Sequence, residues 1–471
     1  MCFCLYVFIY ISYDKYGRLV EEKYPLENIR KYYTHDNNGN ITKIEEFPIN
    51  SNTLLSKKEF TYDYSWPNRL LTVNDNGTYT IFSYRSDMPG MISNLSDAET
   101  GAVNCFLEWD NSKLSRYKFD DNYYIDYVYN TQGLRTSKVI VDEYAGGNIS
   151  HTYKYCGNKL IEDEVNDDIK GDYYKLQFLY DESELLYGFK YENKEYYYLR
   201  DSLQTIIGIE NELKQIVCEY KYDAYGNHKV LDNNRNVSNS KYFIGNINPF
   251  RYKGYYYDVE TQLYWVSSRY YSPELCRWIS PDSIEYLDPQ SINGLNLYAY
   301  CGNDPINKYD PSGHFVISIL AWIIIGAALT TAVAVTYGAI KEETIVIDLS
   351  YSIPNTIKFG GSLVLDFKGK NIEIYPHVGQ AYGISSGLSY SIGKVWNYSK
   401  PGSYGGFFAF GGGGYLIGFD GCFNPFNPSG ASATSITFST SASLYGGWDW
   451  DFDPISFNYE RWEFNKIQEE D

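Results

Sequence analysis

A short turn motif recurs through the first half of the chain: aspartate or asparagine, two further residues, then glycine. Its clear copies begin at Asp14, Asp36, Asn130 and Asp223, with glycine at positions 17, 39, 133 and 226. An Asp or Asn side chain at the first turn position accepts hydrogen bonds from the backbone ahead of it, and glycine at the fourth adopts a left-handed conformation without strain. Each copy therefore predicts the tip of a β-hairpin.

Aromatic and β-branched residues alternate with polar residues on both sides of these turns, as in Tyr127–Tyr129 and Glu219–Tyr222. This period of two is typical of half-buried strands. Degenerate copies of the motif lie near Asp63 and Asp181. The chain holds 52 tyrosines against 24 phenylalanines, and aromatic residues favour strands. We predict a mostly β protein built from successive antiparallel hairpins.

A second group of motifs lies between residues 248 and 314. It reads Asn248-Pro249-Phe250-Arg251-Tyr252-Lys253-Gly254-Tyr255-Tyr256-Tyr257-Asp258, Arg269-Tyr270-Tyr271, Arg277-Trp278-Ile279-Ser280-Pro281-Asp282, Asn296-Leu297-Tyr298-Ala299-Tyr300 and Asp310-Pro311-Ser312-Gly313-His314. Together with the tyrosine-aspartate turns before it, this group resembles the YD repeats and the repeat-associated core of Rhs proteins. The resemblance covers roughly residues 10 to 314.

The resemblance implies a hollow β-shell of spiralling antiparallel hairpins, closed by the core and followed by a variable C-terminal passenger that is often a toxin. We therefore predict a YD-repeat shell fragment over residues 1–247, the core over 248–314, an apolar helical segment over 315–340 and a β passenger domain over 341–471. The hairpin array has a C-terminal closure and no evident N-terminal cap. We expect the chain to be the C-terminal part of a longer protein.

The resemblance also implies a candidate for self-cleavage, because some Rhs-like shells release their passenger with two aspartates and a neighbouring arginine. Matched motif by motif, the aspartates are Asp282 and Asp310, the arginine is Arg269, and the cleavage region is Gly313-His314. Two close carboxylates cannot both ionise easily, so one can act as an acid while the other activates water. The predicted enzyme activity is at most an aspartic-type autoprotease.

The chain departs from the family pattern near these residues. Asp282 is followed by Ser283-Ile284-Glu285 where proline and glycine are usual, Ser272 stands where aspartate is usual, and Cys276 stands where glycine is usual. Aspartate also commonly opens turns before polar residues or proline. A turn role and a catalytic role for Asp282 and Asp310 both stay open at this point.

Residues 315 to 340 form a run of 26 positions without a charged side chain. That length is enough for one helix to cross a bilayer. The run also fits an apolar segment stored inside the shell, or a buried linker. We favour insertion into a membrane during delivery.

Beyond Lys341, strands of small polar and apolar residues alternate, which predicts an antiparallel sandwich or barrel of about eight strands. This tail has 8 basic and 14 acidic residues, and the whole chain has a net charge of −19. Both values disfavour binding to nucleic acid. Asp420, Cys422 and His377 are the only candidates in the tail for a nucleophilic site, and they lack a spacing signature.

The eight cysteines are scattered without metal-ligand spacing, so we predict no metal and no cofactor. The apolar run from Met1 to Ile11 lacks the basic start and the cleavage site of a signal peptide. The expected function is that of a toxin shell in bacterial competition, secreted or at the cell surface, with membrane association and a cognate immunity protein as partner. The alternative is a non-enzymatic surface protein whose exposed tyrosines bind glycans.

Overall fold

The structure is a computed structural model. It describes residues 10–287 except 183 and 202, then 294–314, 316–318, 331, 334–352, 358–369, 371–383, 387–397, 406–423, 432–451 and 455–458. The chain divides into two compact units, Met1–Ile317 and Ser318–Asp471.

The first unit is built on a single antiparallel sheet of twenty strands, and each strand pairs with the next one along the chain. The strands are β1 Tyr10–Tyr13, β2 Leu19–Tyr24, β3 Ile29–His35, β4 Ile41–Pro48, β5 Ser56–Tyr62, β6 Leu70–Asp75, β7 Thr78–Tyr84, β8 Ile92–Asp97, β9 Val103–Asp110, β10 Lys113–Lys118, β11 Tyr123–Tyr129, β12 Arg135–Asp142, β13 Gly147–Cys156, β14 Lys159–Asp167, β15 Asp172–Tyr180, β16 Leu186–Tyr191, β17 Lys194–Arg200, β18 Ile206–Asn211, β19 Ile216–Tyr222 and β20 His228–Leu231. The sheet is therefore one continuous meander.

The predicted turns have the expected geometry. In the first copy, the Gly17 amide donates to the Asp14 carbonyl over 3.0 Å, and Asp14 Oδ1 accepts the amides of Tyr16 at 2.8 Å and Arg18 at 3.0 Å. Gly17 has a φ of +73°, in the left-handed region. Four further turns share this geometry without glycine, and their left-handed residues are Glu184, Gln204, Lys214 and Arg235.

Tyrosines at strand ends bind the preceding part of the meander. Their hydroxyls donate to backbone carbonyls 14 to 21 residues earlier, over 2.7–2.9 Å. The pairs are Tyr62 with Ile41, Tyr84 with Leu70, Tyr129 with Leu114, Tyr155 with Arg135, Tyr180 with Leu160 and Tyr222 with Ile206. A tyrosine packs its ring in the core and still satisfies a buried carbonyl. This explains the tyrosine immediately before several of the turns.

A compact core follows the meander and packs against it. It holds the helical turn α1 Ile244–Ile247, the short 3-10 turns Tyr252–Gly254, Ile284–Tyr286 and Cys301–Asn303, and a four-stranded antiparallel sheet. The strands of this sheet are β21 Tyr256–Asp258, β22 Leu263–Val266, β23 Arg269–Ser272 and β24 Arg277–Trp278, and the short strands β25 Lys308–Tyr309 and β26 Ile317–Ser318 follow. Its side chains form one hydrophobic cluster with those of the meander.

The two ends of the meander meet each other. The buried carboxylate of Glu22 in β2 accepts the amide of Ala224 over 2.9 Å, and Lys31 Nζ lies 2.9 Å from Asp223 Oδ2. The core also reaches the first hairpins, since Asn303 Nδ2 donates a hydrogen bond to the Gly39 carbonyl over 2.7 Å. The predicted mostly β fold of antiparallel hairpins closed by a core is confirmed.

The second unit holds a seven-stranded antiparallel sheet in its described part. Its strands are β27 Thr344–Ser352, β28 Lys358–Asp366, β29 Asn371–Gly383, β30 Gly387–Trp396, β31 Gly406–Phe423, β32 Ser432–Asp451 and β33 Ile455–Asn458. The long strand β32 pairs with β31, β30 and β29. The predicted tail of antiparallel strands is therefore correct.

Most of the apolar run over 315–340 lies outside the described residues, although residues 334–341 are helical. Among the helices that the structure describes, none is both long enough and apolar enough to span a membrane. The transmembrane helix predicted for this run stays a prediction.

Candidate active site

Strand β23 begins with Arg269, whose side chain is 6% exposed and lies between two carboxylates. Its Nη2 is 2.7 Å from Asp282 Oδ2 and 3.7 Å from Asp310 Oδ2. The guanidinium also lies over the ring of Trp278, 4.2 Å from the centroid. The three residues that the sequence suggested as a set are thus together in the folded chain.

The same arginine holds the backbone of the predicted cleavage region. Arg269 Nε donates a hydrogen bond to the carbonyl oxygen of Gly313. Gly313 has a φ of +79°, and a Cβ atom there would lie 2.4 Å from Ser268 Oγ and 2.6 Å from the Val266 carbonyl oxygen. Only glycine fits this position, and it brings the Gly313-His314 peptide against the guanidinium.

Asp310 forms a tight turn around this peptide. Its Oδ1 accepts the amides of Ser312 at 3.2 Å, Gly313 at 2.8 Å and His314 at 3.2 Å, and its side chain is 1% exposed. The turn role suggested by the sequence is therefore real. It also places a carboxylate oxygen within hydrogen-bond distance of the nitrogen of the Gly313-His314 bond.

Asp282 contacts the residue that follows this bond. Its Oδ1 lies 2.5 Å from His314 Nδ1 and accepts the amide of Ser283 over 2.8 Å. The His314 ring stacks on Tyr286, with centroids 5.0 Å apart and an interplanar angle of 6°. The sequence indicated His314 only as part of the cleavage region, because no spacing rule links an imidazole to a carboxylate 32 residues earlier.

Burial lowers the pKa of Arg269 to about 10, and the neighbouring charges of Asp282 and Asp310 oppose this shift. The guanidinium therefore stays charged at neutral pH. A buried cation beside a carbonyl oxygen stabilises negative charge that develops on that oxygen. The two carboxylates beside it can accept or donate a proton.

The candidates in the tail belong to the second unit. The backbone of His377 lies in β29, and those of Asp420 and Cys422 lie in β31. Both strands pair with β32, where His377 is opposite Asp451 and Cys422 is opposite Ala433. The side chains of these three candidates lie outside the described residues, so a nucleophilic site there stays a prediction.

Among the residues that the structure describes, no group of three or more His, Cys, Asp and Glu side chains could hold a metal ion. Five cysteines whose side chains the structure describes are free thiols, namely Cys105, Cys156, Cys218, Cys276 and Cys301.

The structure also shows two polar pairs that the sequence did not indicate. Arg135 and Asp258 form a buried ion pair between the meander and the core. His151 Nδ1 lies 3.0 Å from Asp163 Oδ1, at the wall of a cavity of about 770 Å³. Arg135 and Asp258 are 123 positions apart in the sequence, and His151 and Asp163 are 12 positions apart. Only folding brings the members of each pair together.

Comparison with known proteins identifies the architecture. The family model of the teneurin YD-shell matches residues 170–306. The tRNA nuclease WapA of Bacillus subtilis (strain 168) is 27% identical over 321 residues, which are 67% of this chain and 12% of WapA. The chain is a YD-repeat protein of the Rhs type.

Other relatives of this Rhs-type chain include the toxin protein Tse5 of Pseudomonas aeruginosa, 39% identical over 79 residues, which are 17% of this chain and 5% of Tse5. Among solved structures, the crystal structure of TcdB2-TccC3 has 18% identity and a TM-score of 0.37, and the match covers 65% of this chain and 18% of that chain. The chain spans about an eighth of the length of the WapA proteins that it matches.

Two departures from the usual Rhs pattern lie in turns of the core. Cys276, where glycine is usual, has a φ of +56°, which is the left-handed conformation that favours glycine. Ser272, where aspartate is usual, accepts the Leu275 amide at its Oγ over 3.2 Å, as a turn aspartate would. Cys276 and Ser272 therefore both take turn positions that glycine and aspartate favour.

Proposed function

We propose that this Rhs-type protein encloses a C-terminal passenger and cuts its own chain between Gly313 and His314. One observation carries the proposal: Arg269 contacts the Gly313 carbonyl and lies beside both Asp282 and Asp310. A cation on the carbonyl oxygen and a carboxylate near the amide nitrogen are the two aids that hydrolysis of a peptide bond requires.

In the proposed reaction a water molecule attacks the carbonyl carbon of Gly313. Arg269 stabilises the negative charge on the carbonyl oxygen, and Asp310 accepts a proton from the water and returns it to the nitrogen of His314. Asp310 Oδ1 is 3.2 Å from that nitrogen, which suits the transfer. The bond between Gly313 and His314 then breaks, and one water is consumed.

The passenger in this proposal is a toxin that acts at a membrane. The relatives of the chain by sequence include a toxin protein and a tRNA nuclease. The uncharged run over 315–340 and the acidic tail favour a membrane over a nucleic acid as the target. Secretion to a neighbouring cell and protection of the producer by a cognate immunity protein belong to the same proposal.

The alternative of a glycan-binding surface protein has less support. It relies on exposed tyrosines in the repeats, but the hydroxyls of six strand-end tyrosines are bonded to backbone carbonyls of the meander. Their role in the fold is sufficient to explain their recurrence.

The test is intact-mass analysis of the purified full-length chain beside its Asp310→Asn, Arg269→Gln and Asp232→Asn variants. We expect the wild type and Asp232→Asn to yield a fragment ending at Gly313, because Asp232 caps an exposed turn away from this peptide. We expect the other two variants to stay intact. A wild-type chain that remains whole would contradict self-cleavage.

A further inference from the structure

Asp282 differs from Asp310 in what its oxygens contact. One oxygen of Asp282 pairs with Arg269, at 2.7 Å, and the other lies 2.5 Å from the imidazole of His314. Asp310 instead binds the backbone amides around the Gly313-His314 bond. The carboxylate of Asp282 thus contacts two side chains and the Ser283 amide, whereas that of Asp310 is next to the bond itself.

The imidazole of His314 is held on two sides. A carboxylate only accepts hydrogen bonds, so Nδ1 of His314 carries the proton and donates it to Asp282. The face of the ring lies parallel to Tyr286 at a centroid distance of 5.0 Å. The side chain of His314 is 33% exposed although its carboxylate partner is only 7% exposed. The ring is therefore seated on a buried anion with one edge toward solvent.

We propose that Asp282 and Tyr286 form a subsite that recognises the imidazole of His314 and positions the leaving side of the Gly313-His314 bond. This inference rests on the proposed self-cleavage and assigns unequal roles to its two aspartates. Asp310 transfers the proton, and Asp282 is a positioning residue that acts through His314 and Arg269.

The positions of the side chains explain why such a subsite is useful. Arg269 fixes the carbonyl side of the bond through Gly313, and the subsite fixes the amine side through His314. A peptide bond held at both ends keeps its nitrogen within 3.2 Å of Asp310 Oδ1. Small misplacements of reacting groups reduce rates strongly, so the second anchor should matter for the rate.

The same contacts would hold the product. Hydrolysis leaves a carboxylate on Gly313 and an ammonium on His314. The carboxylate forms beside the guanidinium of Arg269, and the ammonium forms 3.2 Å from both Asp310 Oδ1 and Ser312 Oγ. The imidazole remains on Asp282, so the new N-terminus stays bound through two groups after the chain is cut.

The first test compares rates of self-cleavage in the full-length chain by a time course of intact mass. His314→Ala removes the imidazole, and we expect cleavage to slow by about 10-fold or more. His314→Asn places an amide N–H donor near the position of Nδ1, and we expect it to restore the rate to within about 3-fold of wild type. His151→Asn is the matched control, because His151 also pairs with an aspartate but lies outside the site, and its rate should equal that of wild type. An unchanged rate for His314→Ala would overturn the subsite.

The second test does not depend on cleavage. Proton NMR of the wild-type and Asp310→Asn full-length chains should show a far-downfield Nδ1 proton bonded to a carboxylate, and this signal should vanish in His314→Asn and in Asp282→Asn. The proton of the His151–Asp163 pair gives an internal reference, which His151→Asn removes. If the signal of His314 is present in a wild-type chain that stays uncut, the contact of His314 with Asp282 stands and the proposed self-cleavage fails. If the signal is absent, the subsite is wrong.

Discussion

Arg135 in β12 and Asp258 in β21 form a two-point ion pair with no solvent exposure of either side chain. The Arg135 guanidinium also lies within 4.5 to 5.4 Å of the ring centroids of Tyr127, Tyr153, Tyr256 and Trp265. The pair joins the middle of the meander to the core. Asp258 also lies 3.3 Å from Lys138 Nζ, whereas loss of Asp258 would leave the Arg135 charge buried among aromatic rings without its counter-charge.

We expect Asp258→Asn to lower the free energy of unfolding by about 3 to 5 kcal/mol, because it leaves the Arg135 charge buried without its counter-charge. Urea denaturation followed by tryptophan fluorescence measures this change. The matched control is Glu162→Gln, which removes a carboxylate from the exposed Lys154 pair and should cost about 1 kcal/mol or less. Equal losses in the two variants would show that burial of the Arg135 pair is unimportant.

Replacing Tyr180 by phenylalanine removes the hydroxyl that binds the Leu160 carbonyl over 2.9 Å. We expect a loss of about 1 kcal/mol in the free energy of unfolding, the usual net value of such a hydrogen bond. Tyr64→Phe changes a fully exposed tyrosine and should leave the urea midpoint where it is. An unchanged free energy of unfolding in Tyr180→Phe would mean that the strand-end tyrosines stabilise the fold only through the packing of their rings.

At the left-handed turn positions, replacing glycine should lower the stability of the fold, and introducing glycine should raise it. Gly17→Ala puts a side chain at a φ of +73°, where no atom lies within 4 Å of the new Cβ, so its expected cost of about 1 kcal/mol is purely conformational. Lys214→Gly relieves the same strain at a φ of +60° and should raise the midpoint of thermal unfolding. Differential scanning calorimetry of both variants checks the pair. A stabilised Gly17→Ala variant would contradict the conformational argument.

His228 should make the fold sensitive to acid. Burial lowers the pKa of His228 to about 3, and the nearby charge of Arg251 acts in the same direction. The unfolded chain takes up a proton near the ordinary pKa of about 6.5, whereas the folded chain does not. The stability that depends on neutral His228 is therefore complete above pH 6.5 and is lost as the pH falls from there toward 3.

His228→Gln removes this titration, so we expect the free energy of unfolding of the variant to fall less steeply between pH 6.5 and 4, by about 1 kcal/mol per pH unit. Urea midpoints at several pH values give the two slopes. The control is His151→Gln, whose imidazole is paired with a carboxylate rather than with a cation. Parallel slopes for wild type and His228→Gln would exclude this histidine as the acid-sensitive group.

Local chemistry made much of the fold predictable. The Asp-x-x-Gly turns follow from the residues at the turn itself, as Asp14 and Gly17 show. The turns at Lys214 and Arg235 were not predicted, because their left-handed positions hold lysine and arginine instead of glycine. The closure of the meander was expected only from resemblance, since contacts such as Glu22 with Ala224 join residues 202 positions apart.

The sequence predicted which residues form the candidate site, but it did not predict the contacts between them. Motif matching named Arg269, Asp282 and Asp310, and the structure brings them together. The stacking of His314 on Tyr286 and the contact of Arg269 with the Gly313 carbonyl depend on how the core folds back on itself. Neither has a local signature in the sequence.

The strict order of the meander has a consequence for synthesis on the ribosome. Each strand pairs with its predecessor, so each new hairpin can join the sheet as soon as it emerges, without waiting for distant residues. The core emerges last among the residues of this unit, and its contacts with Gly39, Arg135 and Asn68 reach back over 120 residues or more. Until then the growing sheet exposes the apolar side chains that the core will cover, so we expect it to be most prone to aggregation in this interval.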